Sequence, residues 1–138
     1  MIGPCRGFTL IELIAVLIIV GIIGTAVSSR FFDDASTAVL ASKSDVVSAL
    51  RTAQQMAMDT NATITFIASS SSIAVHRNGQ PVVQGAVQYP LNLPASVSLS
   101  PSATLSFNRL GETSAVSFVL TGAGNTATVT VSAAGYAY

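Results

Sequence analysis

A stretch from Phe8 to Val27, apolar throughout except for Glu12, constrains this chain more than any other feature of it. A helix of about 20 residues is about 30 Å long at 1.5 Å per residue, the thickness of a bilayer core, and it predicts one membrane span. A carboxylate at the mouth of that span costs about 2.5–3.5 kcal/mol on insertion scales, so Glu12 is a functional-site candidate that needs a counter-charge. The residues before it suggest one. A cut between Gly7 and Phe8 creates an α-amino group one helical turn from Glu12, about 6 Å along the axis. Within one copy, water reaches so shallow a carboxylate; between packed copies water is scarce, and the amine of the adjacent copy is the natural counter-ion. On this reading Glu12 is an assembly switch. Gly21 and Gly24 each weaken the helix by up to about 1 kcal/mol in water, but in lipid they permit close helix contact.

The run Gly7-Phe8-Thr9-Leu10-Ile11-Glu12, followed by a long apolar helix, resembles the N-terminal signature of type IV pilins and type II secretion pseudopilins. The resemblance implies a short basic leader ending at Gly7, cleavage between Gly7 and Phe8 by a membrane-embedded prepilin peptidase, and N-methylation of Phe8. It also implies subunit assembly with Glu12 meeting the amine of a neighbouring Phe8. The implied partners are other pilin or pseudopilin subunits, the prepilin peptidase, an inner-membrane assembly platform, and membrane lipid before assembly. The implied location is a single pass in the bacterial inner membrane with the C-terminal domain in the periplasm, and then a pilus or pseudopilus. The competing account is an ordinary signal peptide, since Ala26-Val27-Ser28 roughly meets the small-x-small cleavage rule. Glu12 interrupts the apolar core that such a signal requires.

Beyond Arg30, Phe31, Phe32, Val39, Val46, Leu50, Ala53 and Ala57 recur at helical spacing, separated by Asp33, Asp34, Lys43, Asp45 and Arg51. This predicts an amphipathic continuation of the first helix, with Arg30 and Asp34 as an i,i+4 pair worth a few tenths of a kcal/mol at best. Ser36 and Thr37 mark a local bend. Asp59-Thr60-Asn61 ends the helical period, and alternation follows, with Ile64, Phe66 and Ala68 on one side. Ile73–His76 and Val82–Val83 flank Asn78-Gly79, a strong hairpin signal. Pro90, Pro94 and Pro101 punctuate an irregular connection containing Val97–Ser100. Strands are expected at Thr104–Phe107, Ala115–Thr121 and Thr126–Ala133, the last making the C-terminus a strand. The chain thus divides into residues 1–7 (leader), 8–28 (transmembrane or filament-core helix), 29–60 (amphipathic continuation) and 61–138 (β domain). The fold class is α+β: a long N-terminal helix, half transmembrane and half amphipathic, packed on an antiparallel β-sheet domain. Ile64, Phe66, Phe107, Phe118, Val129 and Val131 are expected to bury the C-terminal half of the helix.

Arg30-Phe31-Phe32, the segment Ser48 to Ala57, and Leu105-Ser106-Phe107 before Gly111 with a last strand ending near Gly135-Tyr136 narrow the resemblance to the H-type pseudopilin family. Within it the helix segment is most similar to the C-type minor pilins of mannose-sensitive haemagglutinin (MSHA) pili. This implies a minor pilin, a structural and assembly subunit. The alternatives are an H-type minor pseudopilin of a type II secretion system and, in a different class, a tip adhesin or DNA-uptake binding module. Two departures matter. Many major pilins close a C-terminal loop with a disulfide, whereas the only cysteine here is Cys5, inside the expected leader. Family members often carry proline where this chain has Ser29, so the usual kink lacks its cause.

Composition excludes several functions. Six basic against six acidic side chains give no electrostatic footprint for nucleic acid, and none is expected as a partner. Charged residues are only 9% of the chain, so its surface is dressed in Ser, Thr, Asn and Gln, which tolerates close packing of copies. The one histidine, His76, stands beside Arg77 at the Asn78-Gly79 turn and reads as a solvated strand end. No catalytic residue, cofactor or metal is expected: zinc lacks a spaced ligand set, and Asp33, Asp34 and Asp45 lack the loop spacing of a calcium site. Ser69–Ser72 reads as a polar turn.

Overall fold

The structure is a computed structural model, and it describes residues 9–31 and 34–138, with side chains for 9–23 and 36–138. The chain divides at Asp34 into an N-terminal unit and a C-terminal unit, Ala35–Tyr138.

The N-terminal unit holds one helix, α1 (Leu10–Phe31). Thr9, a residue type favoured at a helix N-cap, opens it, and its carbonyl accepts the amide N–H of Glu12 at 3.1 Å and of Leu13 at 3.2 Å. Every described side chain of α1 is exposed, and the apolar ones lie on all sides of the helix. Among the described residues no helix is long and apolar enough to cross a membrane.

The C-terminal unit is built on α2 (Asp34–Asp59). Val39, Ser42, Val46, Ala49, Leu50, Ala53 and Ala57 form its buried stripe at helical spacing. Four of these seven are Ala or Ser, which brings the helix axis close to the sheets. Thr60 stops the helix, its N–H and hydroxyl both donating to the Met56 carbonyl, at 3.0 and 2.7 Å.

Ten strands follow: β1 (Ile64–Ala68), β2 (Ser72–Arg77), β3 (Gln80–Pro81), β4 (Val83–Gln84) and β5 (Val87–Gln88), then β6 (Leu91–Asn92), β7 (Ser98–Ser100), β8 (Ala103–Phe107), β9 (Val116–Gly122) and β10 (Asn125–Val131). The first sheet runs β3-β2-β1-β8, with β6 also paired to β2; the second runs β10-β9-β7; β4 and β5 form a separate ribbon. Every pairing is antiparallel. Phe66 of the first sheet meets Phe118 of the second edge-on, ring centroids 5.9 Å apart, and both are fully buried. Such a pair is worth about 0.5–1.5 kcal/mol beyond the area it buries. Ile64, Phe66, Phe107, Phe118, Val129 and Val131 all lie in the core with the α2 stripe, as the alternation predicts.

The structure differs from the sequence expectation in three places. Asn78 and Gly79 (φ 52° and 81°) make a two-residue turn, so the partner of β2 is Gln80–Pro81 and not Val82–Val83. Val82 still donates its N–H to Val75 at 2.9 Å before Val83 turns away into the ribbon. The proline-punctuated connection is irregular at Pro90, Pro94 and Pro101 themselves, but two short pieces of it, Leu91–Asn92 and Ser98–Ser100, are paired strands. Leu91 pairs with Ile73 and Leu99 with Leu120, and the Leu93 and Leu99 amides donate to the carbonyls of Ser71 and Ser70. The serine run is therefore the anchoring turn of that connection. The last strand ends at Val131, and the chain reverses over Ser132–Gly135 and returns, Tyr138 and Thr130 exchanging both backbone bonds. Gly135, at φ 81°, is forced: a Cβ there would sit 1.9 Å from the Gly111 carbonyl oxygen.

Candidate functional site

Of the three residues that the sequence singles out, Gly7 and Phe8 lie outside the described residues, and Glu12 is exposed in the first turn of α1. There a carboxylate suits the positive end of the helix dipole, an effect worth about 0.3–1 kcal/mol. With Thr9 at the N-cap, Glu12 occupies the third helical position, the place that a capping box gives to Glu or Gln. The structure thus adds a local, helix-starting reason for Glu12 that the sequence expectation missed, although Thr-x-x-Glu was legible.

The surface around Glu12 is apolar without relief. Leu10, Ile11, Leu13, Leu17, Ile22 and their neighbours are each between 44% and 76% exposed. A helix apolar on every side is stable only inside something else, whether lipid or other helices. Nothing lies near Gly21, where an added Cβ would meet no atom within 4 Å. What this arrangement can do is associate. Among its described side chains no three His, Cys, Asp or Glu are grouped.

On the C-terminal unit, the outward side of α2 is the floor of a trough of about 700 Å³. Leu40, Lys43, Val47, Arg51 and Gln55 line it along the helix, and Tyr138 closes one side. A second cleft, about 540 Å³, lies between α2 and the β4–β5 ribbon and shares Ser48 and Thr52 with the first. Tyr89, at the foot of the ribbon, is buried, which pushes its phenol up from 10.0. The hydrogen bond with Thr52 of α2 partly opposes this, and the Asp45 charge adds to it.

The one histidine and Glu112 lie apart from these features. His76 is half-buried in β2, opposite Thr65 and Pro81. Glu112 accepts a bond from the Asn108 side-chain amide at 2.7 Å in the turn after β8. Neither lines any of the four described clefts. Among the described residues, no three His, Cys, Asp or Glu side chains are grouped to hold a metal. Sequence reasoning also passed over Gln54, whose side-chain N–H₂ donates to the Gly111 and Ala134 carbonyls at 3.3 and 3.0 Å. It ties two distant turns to α2. No pattern marks a long-range clamp of this kind before the fold is known.

Residues 3–28 match the family model of the prokaryotic N-terminal methylation motif, and residues 44–135 match that of type II transport protein GspH. No curated protein matches the chain. The fold is similar to that of the type IV minor pilin FimU from Pseudomonas aeruginosa (strain PAO1), with a TM-score of 0.53 and 14% identity over 72% of this chain and 90% of that one. At such identity the likeness is one of fold: a helix packed on antiparallel sheet. Because the second family model spans well over half of its length, this chain belongs to the family of type II transport protein GspH, among the type IV pilins and pseudopilins.

Proposed function

We propose that this chain is a minor type IV pilin of an MSHA-like pilus, a structural and assembly subunit that enters the filament through its N-terminal helix. The observation that carries the proposal is the conjunction on α1 of apolar side chains on every side and a single carboxylate, Glu12. In this reading residues 1–7 are a leader that prepilin peptidase removes between Gly7 and Phe8, and the new Phe8 amine is methylated. Residues 8–28 anchor the subunit in the inner membrane and later form the filament core. Residues 29–60 continue the helix, and residues 61–138 are the periplasmic β domain. An inner-membrane platform lifts the subunit out of the lipid, and Glu12 meets the Phe8 amine of its neighbour, replacing water with an ion pair. A second reading, an H-type minor pseudopilin of a type II secretion system, is favoured by the description of the family model itself.

Two variants test the role of Glu12 and separate charge from helix capping. Glu12→Ala removes both; Glu12→Gln keeps a capping side chain and removes the charge. The expected outcome is that both are cleaved, as mass spectrometry of the mature N-terminus reports, and that both enter filaments at least tenfold less than the parent. Normal incorporation of the Gln variant would leave only a helix-starting role. Mature protein that retains residues 1–7, or begins at Ser29, would overturn the whole reading.

A further inference from the structure

We infer that the trough on the outward side of α2 receives an acidic, amphipathic helix of a neighbouring pilin subunit. The inference rests on the assembly role just proposed and names the chemistry of a contact within it.

The trough runs from Leu40 to Gln55 along α2, about 22 Å at the helical rise, the length of four turns of a second helix. Its lining is mixed in a specific way. Leu40 is 64% and Tyr138 66% exposed, Val47 is half-buried, and Ser44, Ser48, Thr52 and Gln55 make up the uncharged polar part of the lining. Lys43 and Arg51 rise from the same face, and among the described residues no Asp or Glu side chain lines the trough. Arg51 gives one N–H to the Ala137 carbonyl at a long 3.5 Å, and neither cation has a salt-bridge partner among the described residues. Asp45 and Asp59 line other clefts, on the ribbon side of the helix. Two cations without a salt-bridge partner among the described residues, beside the exposed side chains of Leu40 and Tyr138, are complementary to a helix that carries carboxylates beside an apolar stripe.

The spacing makes the partner more specific. Lys43 and Arg51 are eight residues apart on one face, about 12 Å, so the matching carboxylates stand about two turns apart on the incoming helix. Nucleic acid is the poorer fit, since two cations on a chain with zero net charge neutralise few phosphates.

The test uses the full chain in non-ionic detergent micelles, with empty micelles as the blank. Two fluorescent helical peptides share a leucine stripe; one carries Glu two turns apart beside it, and its twin carries Lys at the same positions. At low salt the acidic peptide is expected to bind at least tenfold tighter than the twin. Lys43→Glu, which touches no described hydrogen bond, should remove most of that advantage, and Lys43→Glu with Arg51→Glu should reverse it. Equal binding of the two peptides, no binding of either, indifference to the substitutions, or competition by a single-stranded 20-mer oligonucleotide at equal affinity would each overturn the inference. These outcomes leave the Glu12 result untouched, so the docking contact and the assembly role fail separately.

Discussion

Ser42 is the buried residue whose chemistry least fits its place. Its hydroxyl is enclosed within the α2 stripe and has no hydrogen-bond partner among the described residues. An unmade bond of that kind costs about 1–3 kcal/mol, and alanine is also the better helix former. Ser42→Ala is therefore expected to stabilise the C-terminal unit by about 1 kcal/mol, read as a higher urea midpoint with an unchanged slope. Gly135 is the opposite case. Its left-handed backbone and its approach to the Gly111 carbonyl leave no room for a Cβ, and Gln54 Nε2 would lie only 2.7 Å away. Gly135→Ala should cost about 2–4 kcal/mol, measured in the same unfolding experiment, because strain and clash add. Neither effect was legible in the sequence. Ser42 sits among polar and apolar residues alike, and Gly135 resembles any turn glycine until Gly111 arrives beside it.

At the scale of elements, two of the hairpin turns make an internal comparison. Asn78-Gly79 between β2 and β3 carries the residue pair that a turn with two positive φ values prefers, and its Oδ1 also accepts the Thr63 amide at 2.9 Å. Ala123-Gly124 between β9 and β10 adopts the same sign of φ, 44° and 83°, with alanine where asparagine is favoured. Left-handed alanine costs about 1–2 kcal/mol, so Ala123→Asn is expected to stabilise the β9–β10 hairpin by about 0.5–1 kcal/mol. Slower amide hydrogen exchange at Thr121 and Thr126 would report it. The first turn was readable because Asn-Gly announces itself. The second leaves no such mark, since Ala-Gly has no turn signature and a seven-residue ladder imposes the conformation. The same asymmetry explains the short strands β4 to β7. Pairings of two or three residues bury too little to leave a period in the sequence, and the Ser70 and Ser71 carbonyls that hold Leu99 and Leu93 are backbone atoms, blind to residue type.

Over the whole molecule, a chain so poor in charge offers few handles to pH, and among the described residues Tyr89 is the one whose shift has a clear sign. Its phenol is held above the ordinary value in the folded state, so the folded protein keeps that proton longer than the unfolded chain. The resulting stability is fully present below pH 10 and is lost as pH rises beyond it through the folded value. Urea midpoints between pH 8 and pH 11 should therefore fall more steeply in the parent than in Tyr89→Phe, because only the parent must ionise a phenol shielded between ribbon and α2. The helix, the strand alternation and the one carboxylate in an apolar rod follow from the sequence by itself, because each rests on local periodicity or on the cost of a charge without water. With them came the fold class and the site candidate Glu12. Tertiary structure alone decided how the strands divide between two sheets, which turns Gln54 ties to α2, and that Lys43, Val47, Arg51 and Tyr138 share one trough. Those outcomes depend on residues far apart in the chain meeting, and no local pattern encodes such a meeting.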